Sequence, residues 1–346
     1  MDLDFLKSVQ YCRLALVFRT IAPSTLPLFS GSALRGMICE RLISRLCMRR
    51  GGCRESCADP QLCLARHFFS EPTATSEPST KLWVLEPPIP SELEEIVHGE
   101  KVRFPYACFP PKRRGEAPIL SSLVAISMES GVSFQLRLAL MGPACDSALQ
   151  VIEALAAAPL VRSKAKAPGS FLLEHVYDIE SGGKILLDQE PPASSILPAT
   201  VRTLDLPLRQ ILRAKTIRVW WLTPLRLRLD DGYCYNPWQV AEHFPAACWA
   251  RCVRAYQACF PDGDRPPFVV LKPGAWSVRA VHAYRYELKR ESVRQGREMS
   301  FDGLVGHFDI SGDLDEVHRL ARVAEIIHVG QKTTFGLGKI RVDVLE

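Results

Sequence analysis

The sequence predicts an α+β protein built from two ferredoxin-like (βαββαβ, RRM-like) domains in tandem, with a cysteine-rich loop inserted in the first. Three observations carry this. Two-residue alternation gives way to 3.6-residue spacing and back again, so that strands and helices alternate in one cycle over residues 1–199 and in a second over 200–346. The stretch DQEPPASSILPAT (188–200) is rich in proline and small residues, as a domain connection is. A chain of 346 residues is long enough for two cores of ordinary size.

Taken in order, YCRLALVFR (11–19) alternates as a strand with Leu14, Leu16 and Phe18 on one face. In the helix that follows from Gly31, Leu34, Ile38, Leu42 and Leu46 share one stripe, and Arg41, Arg45 and Arg49 line another beside it. KLWVLEPPIP is a short strand stopped by its prolines, and EKVRFPYACF is another strand candidate. VSFQLRLALM (132–141) is a strand, GPACDSALQVIEALAAA a helix, and FLLEHVYDIESGGKILLDQ a hairpin turning at Ser181, Gly182 and Gly183. The second cycle has strands at TIRVWWLTPLRLRL, WSVRAVHAYRYELKR, LVGHFDISG and KIRVDVLE. Its helices are residues 238–259 and DLDEVHRLARVAEIIH, the latter with Ser311 or Asp313 as candidate cap and Asp315 and Glu316 in its first turn.

Composition narrows the partners. At 47% hydrophobic and 23% charged, with no apolar run near the 18 or so residues a bilayer requires, the chain reads as soluble, with no membrane partner. The opening MDLDFLKSVQYCR is acidic and lacks an apolar signal region, so a cytoplasmic location is expected, with the 12 cysteines serving as core residues or metal ligands. The net charge is +5, and most of the 43 cations are arginines, whose planar forks suit phosphate and base edges. They cluster at Arg35, Arg41, Arg45, Arg49, Arg50 and Arg54, and again at Arg279, Arg285, Lys289, Arg290, Arg294 and Arg297; Lys112, Arg113 and Arg114 form a third group. Any one cluster is an ordinary solvated face. Together with the loop described next, they point to nucleic acid.

That loop is HVGQKTTFGLGKIRV (328–342), where Gly330, Gly336 and Gly338 are interleaved with Lys332, Thr333, Thr334 and Lys339. A phosphate loop of the nucleotide-binding kind runs from strand into helix; this one runs from helix into strand, and Ile340 follows Lys339 where a Ser or Thr is needed. No small-molecule substrate is therefore expected. Two readings remain: a connection presenting backbone N–H groups and cations to a phosphodiester chain, or a tight turn needing positive φ.

Read together, HVGQKTTFGLGKI, RYELKRESVRQGREMSFDGLVGHFDISGDL, TPLRLR and GSALRGMICERL resemble, in order and over nearly the whole chain, the CRISPR-associated RAMP endoribonucleases of the Cas six family. The resemblance is densest over 276–342. It implies tandem ferredoxin-like domains and cleavage of precursor crRNA once per CRISPR repeat, with repeat RNA and mature crRNA as partners. It further implies that the RNA's 2′-hydroxyl is the nucleophile and that no metal is needed, leaving a 2′,3′-cyclic phosphate and a 5′-hydroxyl. The protein would then supply proton transfer and charge on the phosphorane. His328 is the first candidate base, then His67, with Tyr286, Arg285 and Arg35 in reserve; His282 and His307 sit in strands. The helix from Gly31 lacks the histidine that some relatives carry there. RNA grip is expected from Arg35, Arg41, Arg45, Arg49, Lys289, Arg290, Arg294 and the loop residues Gly330, Lys332, Thr333, Gly336, Gly338 and Lys339. Trp220, Trp221 and Trp276 are stacking candidates or core. The alternative is a non-catalytic RAMP subunit that binds RNA within a CRISPR effector complex; a zinc-stabilised RNA chaperone is a third reading.

Cys47, Cys53, Cys57 and Cys63, spaced by five, three and five residues, can close a tetrahedral structural zinc site or can be separate thiols. His67 is a substitute ligand and Cys39 a packing residue.

Overall fold

The computed structural model describes residues 3–47, 81–122, 125–162, 168–186, 199–205, 214–229, 232–266, 274–292 and 297–345. In the first half the order is β1 (Gln10–Thr20), α1 (Gly31–Leu46), β2 (Trp83–Glu86), β3 (Ser133–Met141), α2 (Ala148–Ala156) and β4 (Gly169–Asp178). The sheet runs β4-β1-β3-β2, antiparallel throughout, with Leu14 opposite Leu138 and Trp83 opposite Leu140. Alternation put the right side chains inside: Leu14, Leu16 and Phe18 are fully buried, as are Leu34 and Ile38 on α1.

The second half repeats the plan with β5 (Thr216–Leu225), α3 (Pro237–Cys259), β6 (Trp276–Glu287), β7 (Gly303–Gly312), α4 (Asp315–Ile327) and β8 (Ile340–Val344). Its sheet order, β8-β5-β7-β6, matches the first. Both halves are ferredoxin-like, with strand order 4-1-3-2 in each. Trp221 packs on Phe308 at 5.1 Å and Phe308 on Phe244 of α3 at 5.2 Å, so Trp221 is core. The expected cap of α4 is not used: Leu314 holds that position without a side-chain bond, while the Asp313 amide donates to Ala275.

The segment between β2 and β3 departs from the two-part plan. Its strands Tyr106–Phe109 and Ile119–Ser122 join the second sheet, the latter parallel to β6 with Arg285 opposite Ile119. The short helix Ser91–Val97 packs on β5 and β7. Leu93, Ile96, Val97, Tyr106 and Leu120 thereby share a buried cluster with Trp220, Leu222, Tyr286, Phe301, Val305 and Leu337. Residues 202 and 203, beyond the expected division at residue 199, pair with β1, and residues of the first half complete the core of the second. Among the described residues no helix is long and apolar enough to cross a membrane.

Candidate functional site at the domain junction

The glycine-rich loop links α4 to β8, and its shape follows from what it touches. The only described non-glycine residues with positive φ, His328 (φ 60) and Lys332 (φ 61), both belong to it. A Cβ on Gly336 (φ +85) would stand 2.2 Å from Pro87 Cδ, just beyond β2, and a Cβ on Gly31, at the start of α1, would stand 2.0 Å from the Phe335 carbonyl oxygen. Bare backbone on both sides lets the loop press against the first domain. Amides of Val329, Gln331, Phe335, Gly336, Gly338 and Lys339 donate within the protein.

This corrects the expectation that the loop offers itself whole to a phosphate chain. Thr333, Gly336 and Gly338 are buried, and Gly330 is half-buried against the Arg226 carbonyl. Lys339 reaches inward to form an ion pair with Glu86 at the end of β2. His328 is fully buried, its Nδ1 on the Leu337 carbonyl at 3.0 Å and its Nε2 3.7 Å from Glu86 Oε1. Burial lowers the His328 pKa, against the pull of Glu86, so the imidazole is neutral at pH 7 and its Nδ1–H donates. Burial would raise Glu86, but the Lys339 ammonium outweighs it and holds the carboxyl well below its usual range; neutral His328, its proton on Nδ1, adds no counter-charge. The loop is a clasp closed by one ion pair across two domains. Lys332 remains exposed at its tip.

The other candidates separate by exposure. Tyr286 is fully buried beside Tyr106, rings 5.9 Å apart, and has no surface for substrate. Arg285 is caged by Asp302 (2.8 Å) and Glu116 (3.6 Å) and lies 3.7 Å over the Tyr235 ring, which accounts for its charge structurally. Arg41 donates to the Pro159 carbonyl, whereas Arg45 is exposed. Lys289, Arg113 and Arg114 are also exposed. Trp220, Trp276, His282 and His307 lie in strands of the second sheet; Trp220 stands 4.7 Å from His307 and donates to Asp343 at 2.6 Å. Arg49, Cys53, Cys57, Cys63, His67, Arg294 and the Arg290 side chain lie outside the described residues; Cys47 is half-buried and Cys39 packs beside the core.

Arg35 is the candidate placed at the seam. One turn into α1, its guanidinium lies 4.2 Å over the Phe335 ring of the loop and 5.8 Å from the Trp83 ring of β2, with its Nε buried and lacking a hydrogen-bond partner. Sequence reasoning missed Glu86 and Arg251. Arg251, fully buried on α3, donates to the Ile327 carbonyl at 3.0 Å and to Thr333 Oγ1 at 3.3 Å, tying the loop to the helix layer. A charge set in an otherwise apolar strand or helix face was the signal for both.

Paired ferredoxin-like domains clasped by a C-terminal glycine-rich loop define the class. Residues 219–340, which contain the whole loop, match the family model of the CRISPR-associated endoribonuclease Cas6, and residues 8–197 match a second model described as an N-terminal domain. Residues 219–340 thus carry the domain of the CRISPR-associated endoribonuclease Cas6 family. Among solved structures it is similar to a Cas6 product complex (14% identity, 96% of this chain and 100% of that one, TM-score 0.51) and to Thermus thermophilus Cas6 (14%, 97% and 99%, TM-score 0.50). It also matches a chain of a partial Cas6-RT-Cas1–Cas2 complex (11%, TM-score 0.51), of which it spans 46%. No curated protein sequence matches it.

Proposed function

We propose that this protein binds CRISPR repeat RNA and cuts precursor crRNA within each repeat. The observation that carries the reading is the match of residues 219–340 to the Cas6 endoribonuclease family, because that span holds the loop around which the junction is built. The 2′-hydroxyl upstream of the cut attacks the adjacent phosphorus and loses its proton, and the 5′-oxygen leaves and gains one. The products are a 2′,3′-cyclic phosphate and a 5′-hydroxyl; the nucleophile is the RNA's own, so the step needs no metal. Arg35 meets the charge that builds on the phosphorane, the task a rigid guanidinium fork performs best. Lys332 and Arg45 hold flanking phosphates. His328 positions the loop from within and does not touch substrate. Assembly with other CRISPR proteins belongs to the same proposal, one structural neighbour being part of a complex with Cas1–Cas2.

The test is incubation with repeat RNA in EDTA. One cut with a cyclic-phosphate end is expected, and a 2′-deoxy nucleotide at the cut site should abolish cleavage and spare binding. Arg35→Ala should slow the single-turnover rate by about 100- to 1,000-fold. A second reading, a RAMP subunit that binds repeat RNA without cutting it, draws on the burial of His328, Tyr286 and Arg285. RNA shifted but intact in the same incubation would establish it in place of the first.

A further inference from the structure

The short turn between β5 and α3 carries two tyrosines, each under a guanidinium: Arg285 lies 3.7 Å over the Tyr235 ring and Arg226 lies 3.7 Å over the Tyr233 ring. The two stacks differ in surroundings. Tyr235 is half-buried and its arginine is neutralised by Asp302 and Glu116. Tyr233 is 38% exposed, and its arginine, only 7% exposed, donates to the Ser300 carbonyl at 2.6 Å and not to a carboxylate among the described residues; its Nε is buried without a partner. With one ring face taken by Arg226, a partner from solvent can stack on the ring only from its opposite face. The ring is also fixed in plane, since its hydroxyl donates to Gln331 Oε1 of the glycine-rich loop at 2.9 Å, and the Gln331 amide donates to the Arg226 carbonyl at 3.1 Å. Arg228, directly across the two-residue ladder from Tyr233, is exposed on the same face, and Lys332 follows Gln331.

A partly exposed aromatic ring, held rigid and backed on one face by a buried cation, with two further exposed cations near it, suits an unpaired nucleotide: the base stacks and the phosphates meet the charges. We propose that Tyr233 is a stacking platform for an unpaired base of the RNA, next to the loop and separate from Arg35. This rests on the RNA-binding reading above.

The test is equilibrium binding of the full chain to repeat RNA across a salt series. Tyr233→Leu should weaken binding by about 5- to 100-fold while leaving the slope of log K against log salt unchanged, whereas Lys332→Ala should reduce that slope by about one. Tyr233→Trp keeps a π face and should bind at least as tightly as the parent. In repeat RNAs carrying 2-aminopurine at successive unpaired positions, one position should be quenched by the parent and not by Tyr233→Leu. If Tyr233→Leu binds like the parent while Lys332→Ala weakens, the platform is wrong and RNA binding stands; Tyr233→Trp as weak as Leu also overturns the platform. A parent that ignores repeat RNA at low salt overturns the RNA reading itself.

Discussion

At the residue scale the junction turns on a buried carboxylate and its one full counterion. Removing Lys339 leaves Glu86, 5% exposed at its side chain, with neutral His328 and with Arg137 at 4.0 Å. Lys339→Met should therefore destabilise the protein by about 3–5 kcal/mol in denaturant titration, and adding Glu86→Gln should restore much of the loss. A Lys339→Met variant as stable as the parent would show that the pair is not closing the clasp. Gly336→Ala combines a left-handed φ with a clash on Pro87 and should cost about 2 kcal/mol or more by the same measurement. The pH dependence has a definite sign. Burial depresses His328 below its ordinary 6.5, and it does the same to His282 and His307, so the unfolded chain binds more protons on acidification. Stability should be full above about pH 6.5 and fall below it, with Glu86 adding a further loss below about pH 4.5. A Tm constant from pH 7.5 to 5 would contradict this, and His328→Gln should flatten the profile.

Among elements, the parts legible in the sequence were those set by local periodicity. The stripe Leu34, Ile38 and Leu42 on α1 and the alternation of β1 are properties of the side chains themselves, and both appear as read. The partner of a short strand is not such a property. Residues around Tyr106–Phe109 read as a strand of the first domain, yet Arg285 and Tyr286 of β6 pair with Ile119 and Leu120 beside them, a choice fixed by packing across more than 150 residues. The glycines were visible as unusual, but whether bare backbone faces RNA or Pro87 depends on a tertiary neighbour no spacing encodes. Arg285, once a candidate for catalysis, now has a structural prediction. Arg285→Ala strands Glu116 and Asp302, 15% and 9% exposed, and should cost about 2–4 kcal/mol while residual folded protein keeps its cleavage rate. A normal Tm with lost cleavage would return Arg285 to the chemistry.

For the whole molecule, one apolar cluster runs through both sheets, and a second is built from residues 28–126 together with 220–337. Neither half has a boundary along which to separate, so calorimetry should show one transition with equal calorimetric and van't Hoff enthalpies. Two resolved transitions would mean the halves melt apart. The segment after β2 also has a consequence for biosynthesis. Leu93, Ile96, Val97 and Tyr106 leave the ribosome long before Tyr286, Phe301 and Val305, the groups that cover them. At roughly 5–20 residues per second, the nascent first half carries an uncovered greasy flank for on the order of ten seconds. Until release of the last strand it is a natural client for chaperones.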